Sequence, residues 1–307
     1  MRIVFIGTAQ FACPALLALA DHHEIPLVVT QPDRPIGRHA VLQPPPVKEE
    51  ALRLGVPVFQ PEQINQEDSI RRLQTITPDL LVVAAYGQLL KPNLFTLAPL
   101  GTVNIHASLL PAYRGAAPAN WAIIRGEKTT GITTFLIDAG MDTGDLLHQR
   151  AIDIAPNETA GELVERLGTL GASVILETVE ALHAQTVIPT SQPREGASMA
   201  PMLSRSDGRI HWESPAQSIH NLVRGMQPWP STWTLLEGRR VKIHRTRMTN
   251  ITCGTITPGE IALRETDRLL VGAPDRMIEI CEIQREGRPR STGSDFLHGL
   301  RGPATFD

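Results

Sequence analysis

The chain has 307 residues, enough for two hydrophobic cores, and its formal net charge of -3, 42% apolar and 20% charged content are ordinary for a soluble globular protein. No stretch approaches the roughly 18 consecutive apolar residues of a membrane span. Three widely separated cysteines, Cys13, Cys253 and Cys281, argue against a disulfide framework and against a cysteine-based zinc site, which makes the cytoplasm the expected compartment.

The opening Met1-Arg-Ile-Val-Phe-Ile-Gly reads as a short buried strand over 3–6 rather than a signal peptide, because the apolar run is short and no cleavage site follows. A helix over 11–21 and a strand over 26–30 come next, the strand closed by Gln31-Pro-Asp-Arg-Pro. A helix over 47–54, a strand over 57–59, a helix over 68–75 and a strand over 80–85 continue the alternation, which implies right-handed crossovers and a mostly parallel sheet. The turn Gly7-Thr-Ala-Gln-Phe links a strand to a helix, so its amides suit an anion. It is not Gly-x-Gly-x-x-Gly, and no Walker loop is present, which speaks against a dehydrogenase. Ala160–His183 is a long amphipathic helix with Leu163, Leu167, Leu170, Val174, Ile175 and Val179 at helical spacing.

Residues 188–207 are rich in Pro, Ser and Gly, lack periodicity and read as a linker between a domain over 1–187 and a second over 208–307. The second opens with a helix over 216–226. Short strands follow over Thr232–Leu236, 241–246, 259–263, Leu269–Gly272 and 277–284, the pattern of a small barrel, OB-like. Beyond about residue 205 basic residues outnumber acidic ones, and Arg239, Arg240, Lys242, Arg245 and Arg247 crowd into nine positions. Such a run is either a solvated face or a platform for a polyanion.

The chemistry concentrates in Gly101-Thr-Val-Asn104-Ile-His106-Ala-Ser108-Leu109-Leu110-Pro111-Ala-Tyr-Arg-Gly-Ala-Ala-Pro118. In a strand, residues i and i+2 share a face, so Asn104 and His106 converge on one spot before the chain breaks into a loop. A second apolar strand over 131–137 then runs into Asp138-Ala-Gly-Met-Asp142-Thr-Gly-Asp145, which carries three carboxylates. Acyl transfer to an amine passes through a tetrahedral intermediate whose oxygen turns negative. Asn104 can donate a hydrogen bond to that oxygen, and a protonated His106 can donate a charge-assisted one. Asp142 is the carboxylate suited to hold the histidine as a cation and to take the amine proton, directly or through one water. The same residues admit a plain reading: a satisfied polar pair at a strand end and an Asx turn at Asp142. Ser108 suggests a serine nucleophile, but no Gly-x-Ser-x-Gly elbow surrounds it.

The run from Asn104 to Pro118, with Asp138 to Asp145, resembles the formyltransferases that use 10-formyltetrahydrofolate, and the resemblance runs nearly end to end. Gly7-Thr-Ala-Gln-Phe-Ala, Gln31-Pro-Asp-Arg-Pro-Ile-Gly-Arg38, Pro45-Pro-Val-Lys48, Val83-Ala-Ala-Tyr-Gly87, Pro228-Trp-Pro230 and Pro258-Gly259 also agree. The resemblance implies a Rossmann-like α/β domain followed by a small OB-like barrel, a monomer, and no metal. It places Asn104, His106 and Asp142 on the family's catalytic residues. Ser108, Leu109, Leu110 and Pro111 fall on its folate-contacting loop, and Ala85, Tyr86 and Gly87 where the pteridine ring is held. The implied co-substrate is 10-formyltetrahydrofolate, and the implied acceptor is the α-amino group of methionine on the initiator tRNA.

Relatives with the same catalytic motif formylate glycinamide ribonucleotide or amino-sugar nucleotides, so the acceptor must be read elsewhere. The insertion after the second strand offers Arg34 and Arg38 for phosphates or base edges, and the basic strand of the second domain offers Arg240 and Lys242. The insertion departs from the family's usual glycine and lysines at His39, Ala40 and Val41, which weakens its electrostatic grip. The opening turn has Ala9-Gln10 for Pro-Asp, His211 stands where aspartate is usual, and Met202 where lysine is common.

Overall fold

β1 (Arg2–Gly7) carries Ile3, Val4, Phe5 and Ile6, all fully buried. A strand apolar on both faces belongs in the middle of a parallel sheet covered on both sides. The computed structural model, which describes residues 1–36, 41–262, 267–300 and 302–307, puts it there. After β1 the chain forms α1 (Cys13–His22), β2 (Glu24–Val29), a small hairpin of β3 (Arg34–Ile36) and β4 (Val41–Gln43), α2 (Pro46–Arg53), β5 (Val58–Phe59) and α3 (Glu67–Ile76). It continues with β6 (Leu80–Ala84), α4 (Pro92–Phe95), β7 (Thr102–His106), α5 (Pro118–Ile124), β8 (Thr129–Leu136), β9 (Leu146–Asp153) and α6 (Ala160–His183).

The seven-stranded sheet has the order β5-β2-β1-β6-β7-β8-β9. The first five strands are parallel, and β8 and β9 are antiparallel additions. The chain moves outward from β1 to β2 and β5, then returns to lay β6 on the other side of β1. That reversal is a topological switch point, where an α/β sheet opens a crevice beyond the carboxyl ends of its strands. Core side chains Val4, Ile6, Leu27, Val29, Leu81 and Val83 line one face against Ile70 and Leu73 of α3. On α6, Leu167, Val174, Ile175 and Val179 are buried, each worth about 1.5–3 kcal/mol.

Contacts divide the chain into two compact units, Met1–Pro118 with Thr129–Asp153 and Val164–Ala200, and Ala119–Lys128 with Ile154–Leu163 and Pro201–Asp307. Within the first, residues 188–200 are tied down rather than loose. Thr190 pairs with Leu146, donating at 3.0 Å and accepting at 2.8 Å, and Arg114 bridges Met199.

The second unit contains α7 (Ala216–Gly225), β10 (Thr232–Leu236), β11 (Arg239–Met248), β12 (Ile261–Ala262), β13 (Leu269–Gly272), β14 (Met277–Arg285), β15 (Ser291–Thr292) and α8 (Gly293–His298). Its sheet is antiparallel, ordered β10-β11-β14-β13-β12, with β15 on β14. The strand expected over 259–263 pairs at Ile261–Ala262, and Leu263 lies outside the described residues. The last residues draw the two sheet edges together. Phe306 donates to Gly259 O at 2.9 Å and Asp307 to Leu235 O at 3.0 Å, while Ala304 O accepts from Ile261 at 2.9 Å. Phe306 stacks on Trp212 with ring centroids 5.5 Å apart inside this barrel-like core.

Candidate active site

β7 aims Asn104 and His106 to one face because its partners fix the register. Asn104 lies beside Val83 of β6 and Phe135 of β8, and His106 beside Thr133. His106 is 5% exposed and meets the Phe135 ring edge-on at 6.3 Å. Its Nε2 is 2.9 Å from the carbonyl oxygen of Tyr113. A carbonyl only accepts, so Nε2 carries a hydrogen and Nδ1 is the nitrogen left for chemistry. Nδ1 lies 3.7 Å from Oδ2 of Asp142, an ion-pair separation longer than a hydrogen bond. The Asn104 side-chain amide is half-buried and makes no hydrogen bond among the described residues.

Two left-handed turns bring these groups together. Tyr113 has φ +62° and Gly115 φ +117°. A Cβ on Gly115 would sit 2.7 Å from Ala200 O, so only glycine fits. The turn faces the Tyr113 carbonyl to the imidazole and the Gly115 N–H to Asp142 Oδ2 at 2.7 Å. Asp142 has φ +54°, a conformation that aspartate tolerates better than most residues. The other two carboxylates of its loop serve elsewhere. Asp138 makes the Asx-type bond, accepting from Gly140 N at 3.0 Å and Thr143 Oγ1 at 2.7 Å, and Asp145 accepts from Ser191 Oγ at 2.9 Å.

The loop after β7 is pinned by a buried threonine. Thr133 Oγ1 donates to Ser108 O at 2.6 Å and accepts from Leu110 N at 3.1 Å and Gln149 Nε2 at 3.0 Å. Gln149 also donates to Leu110 O at 2.8 Å. Ser108 is fully buried and its hydroxyl donates to Ala112 O at 2.6 Å, so it shapes the loop rather than presenting a free hydroxyl. Leu110 is buried, whereas Leu109 and Pro111 are half-exposed. Gly131 of β8 makes room for Leu109, whose Cδ2 would lie 2.6 Å from a Cβ there.

At the carboxyl end of β6, Ala85 (φ +44°) and Gly87 (φ +90°) are exposed and flank the buried Tyr86. The Tyr86 carbonyl accepts from Thr8 Oγ1 at 2.9 Å and Gln31 Nε2 at 3.3 Å. Among the described residues no backbone hydrogen bond engages the N–H groups of Ala85, Tyr86 or Gly87. An exposed backbone with spare donors beside His106's strand is where a flat heterocycle can be held edge-on. Burial pushes the Tyr86 phenol up to about 12, so its hydroxyl stays neutral. Among the described residues no group of three or more His, Cys, Asp or Glu side chains is placed to hold a metal ion.

The formyl transferase profile matches residues 1–179, and that of the formyl transferase C-terminal domain matches 202–301. The chain belongs to the formyl transferase family. A Solibacter usitatus protein named methionyl-tRNA formyltransferase is 44% identical over 302 residues, 98% of this chain and 96% of that one. A protein of the same name from Geobacter metallireducens is 45% identical over 302 residues, with the same coverage of 98% and 96%. Among solved structures, an N-formyltransferase from Helicobacter canadensis in complex with folinic acid and dTDP-3-aminofucose superposes with a TM-score of 0.70. It is 18% identical and the match covers 93% of this chain and 99% of that one. HypX from Aquifex aeolicus in complex with tetrahydrofolic acid gives 0.64 at 17% identity, over 97% of this chain and 47% of that one. At these identities the two structures establish the shared fold.

Within this formyl transferase, the remaining expected contacts are Arg34, Arg38, Arg240 and Lys242. Arg34 is exposed at the root of the β3–β4 hairpin and donates to Gln31 Oε1 at 3.4 Å; Arg38 lies outside the described residues. The hairpin root is fixed by Asp33, which accepts from Lys48 Nζ and Gln60 Nε2, each at 2.7 Å. These bonds hold the Asp33 carboxyl below its ordinary range. In the second unit Lys242 faces Trp233 and Arg240 faces Leu235 across β10 and β11. The Arg240 guanidinium stacks 4.1 Å from the centroid of the Trp233 ring, and that of Arg209 lies 5.7 Å from it. The stacking orders two cations on one outward face.

Sequence reasoning missed the groups that orient the trio. The Tyr113 carbonyl and Gly115 N–H are backbone atoms and carry no residue-type signal; the glycine itself is the one letter that could have pointed to a left-handed position. Thr133, Gln149 and Gln192 are polar residues in stretches read as strand, unread or linker.

Proposed function

We propose that this chain transfers the formyl group of 10-formyltetrahydrofolate to the α-amino group of methionine carried by initiator tRNA, the step that prepares N-formylmethionyl-tRNA for translation initiation. The observation that carries the acceptor is similarity over 98% of the chain, second unit included, to proteins named methionyl-tRNA formyltransferase. We read residues 1–187 as the catalytic domain, 188–207 as the connecting segment and 208–307 as the OB-like tRNA-binding domain.

The residues present fit the folate. The unbonded N–H groups of the exposed Ala85 and Gly87 suit the edge of a pteridine, and the half-exposed Leu109 and Pro111 suit its apolar face. Bound there, 10-formyltetrahydrofolate supplies the one-carbon group. Asn104 donates its amide hydrogen to the oxygen that turns negative as the amine adds. His106, held through Nε2 by Tyr113, meets the same charge from Nδ1, and the carboxylate of Asp142 stabilises positive charge on the ring. Asp142 accepts the proton that the amine loses, directly or through one water, and N10 of the folate takes up a proton as its bond to the formyl carbon breaks, so that tetrahydrofolate leaves. Arg34 and Arg38 are assigned to the acceptor end of the tRNA, and Arg240 and Lys242 to its phosphates. Among the described residues no helix is long and apolar enough to cross a membrane. A charged tRNA as acceptor supports the cytoplasm as the compartment of the reaction.

The test is a formyl-transfer assay in which charged initiator methionyl-tRNA, charged elongator methionyl-tRNA and a nucleotide-linked amino sugar compete for the donor. Formylation of the initiator alone is the expected result. Transfer to the sugar, or to neither tRNA, overturns the acceptor. Binding of tRNA is expected to weaken steeply with salt, since it rests on phosphate contacts.

A further inference from the structure

Gln192 lies in the Pro/Ser/Gly-rich segment and is half-buried. Its amide is fully used. Nε2 donates to the carbonyl oxygens of Asp142 at 2.9 Å and Gly144 at 2.8 Å. Oε1 accepts from Arg114 twice, from Nε at 3.1 Å and from a terminal guanidinium nitrogen at 2.6 Å. A primary amide has two N–H donors and two lone pairs, so all four capacities are spent on two loops. One loop, residues 113–115, supplies the carbonyl that holds His106 Nε2 and the N–H that holds the Asp142 carboxylate. The other carries Asp142 itself in a left-handed conformation that needs support from its surroundings.

We propose that Gln192 is a positioning residue for formyl transfer, acting through Asp142: it ties the Tyr113–Gly115 turn to the Asp142–Gly144 turn and so sets the carboxylate against the imidazole. The inference rests on the reading of Asp142 as the proton acceptor. Only an amide does this work. A glutamate in its place keeps the acceptor for Arg114 but loses both donors and sets a carboxylate against two carbonyl oxygens.

The experiment is a double-mutant cycle with Q192E and D142N, read as kcat and KM for both substrates in the full-length enzyme, with melting temperature recorded for every variant. Q192E is expected to lower kcat about 10–100-fold, the usual cost of losing a partner that orients a functional ligand, with KM little changed. In the D142N background the same change is expected to cost under about 3-fold, because its effect runs through the group already removed. An equal loss in both backgrounds, or a rise in KM with a fall in melting temperature, overturns the positioning role. If Q192E does not fold, Q192A, which carries no new charge, replaces it in the cycle with the same criteria. If D142N is too slow to resolve a further loss, the kcat-against-KM split of the single variant decides. Near-normal turnover in D142N alone sinks the reading of Asp142, a failure distinct from additivity in the cycle.

Discussion

His106 donates from Nε2 to the carbonyl oxygen of Tyr113 across 2.9 Å, which turns Nδ1 toward Asp142. The backbone thereby sets which ring nitrogen faces Asp142, and no side chain elsewhere needs to enforce the tautomer. His106→Ala removes both the proposed donor to the oxyanion and the ion-pair partner of Asp142. Turnover is expected to fall by about two to three powers of ten. Near-normal formyl transfer by this variant rules out the assigned role.

Asp142 offers a cleaner substitution. Asparagine occupies the left-handed region as readily as aspartate and keeps an oxygen for the Gly115 N–H. Asp142→Asn is therefore expected to fold normally, with a melting temperature within about 2–4 °C of the parent, as for changes below about 1 kcal/mol. Its kcat is expected to drop by about 10²-fold or more through loss of the base. A stability loss that accounts for the missing activity would count against the catalytic assignment.

Much of the architecture could be read from the chain because its strongest signals are periodic. The expected strands over 3–6, 26–30, 57–59 and 80–85 correspond to β1, β2, β5 and β6, and burial on both faces selects the unbroken apolar runs of β1 and β6. β9 escaped notice because its sequence Leu-Leu-His-Gln-Arg-Ala-Ile-Asp has no alternation and no buried position, and it is the outermost strand of the sheet. At the candidate site, Asn104, His106 and Asp142 stood out by residue type. Gln192 did not, because its value lies in four hydrogen bonds to groups 48 to 78 residues away. Local composition carries no record of such partners.

Thr133 tests whether the loop proposed to contact folate is held from beneath. Its hydroxyl serves Ser108 O, Leu110 N and Gln149 Nε2 at once in a fully buried place. Thr133→Val keeps the volume and strands those partners, so stability is expected to fall by about 1–3 kcal/mol. The KM for 10-formyltetrahydrofolate is expected to rise more than that for tRNA. A variant with reduced stability but an unchanged KM for the folate would separate the loop's fold from its proposed contact.

Phe306 is 2% exposed and stacks on Trp212, while its backbone joins the two sheet edges of the second unit. Phe306→Ala is expected to cost about 3–5 kcal/mol in that unit. All four tryptophans, at 121, 212, 229 and 233, belong to it, so their fluorescence reports its unfolding directly. An unchanged fluorescence transition would show that the C-terminal residues do not close the barrel.

The same fluorescence tests a pH dependence built into α7. His220 is 3% exposed, donates from Nε2 to Pro156 O at 3.3 Å and accepts from Thr246 Oγ1 at 2.9 Å through Nδ1. Burial, reinforced by the nearby Arg224 guanidinium and opposed by the Pro156 carbonyl, lowers its pKa from the ordinary 6.5. Buried His244, on β11, is shifted the same way by burial. The unfolded chain therefore binds more protons than the folded one between the lowered value and about 6.5, and stability rises with pH across that window. The contribution is fully present above about pH 6.5 and is lost as pH falls toward the lowered values, with a slope of at most about 1.4 kcal/mol per pH unit for each histidine. Urea unfolding between pH 5 and 8 is expected to show this slope in the parent and a shallower one in His220→Gln. An equal slope in the two proteins would show that His220 takes up its proton without cost in the fold.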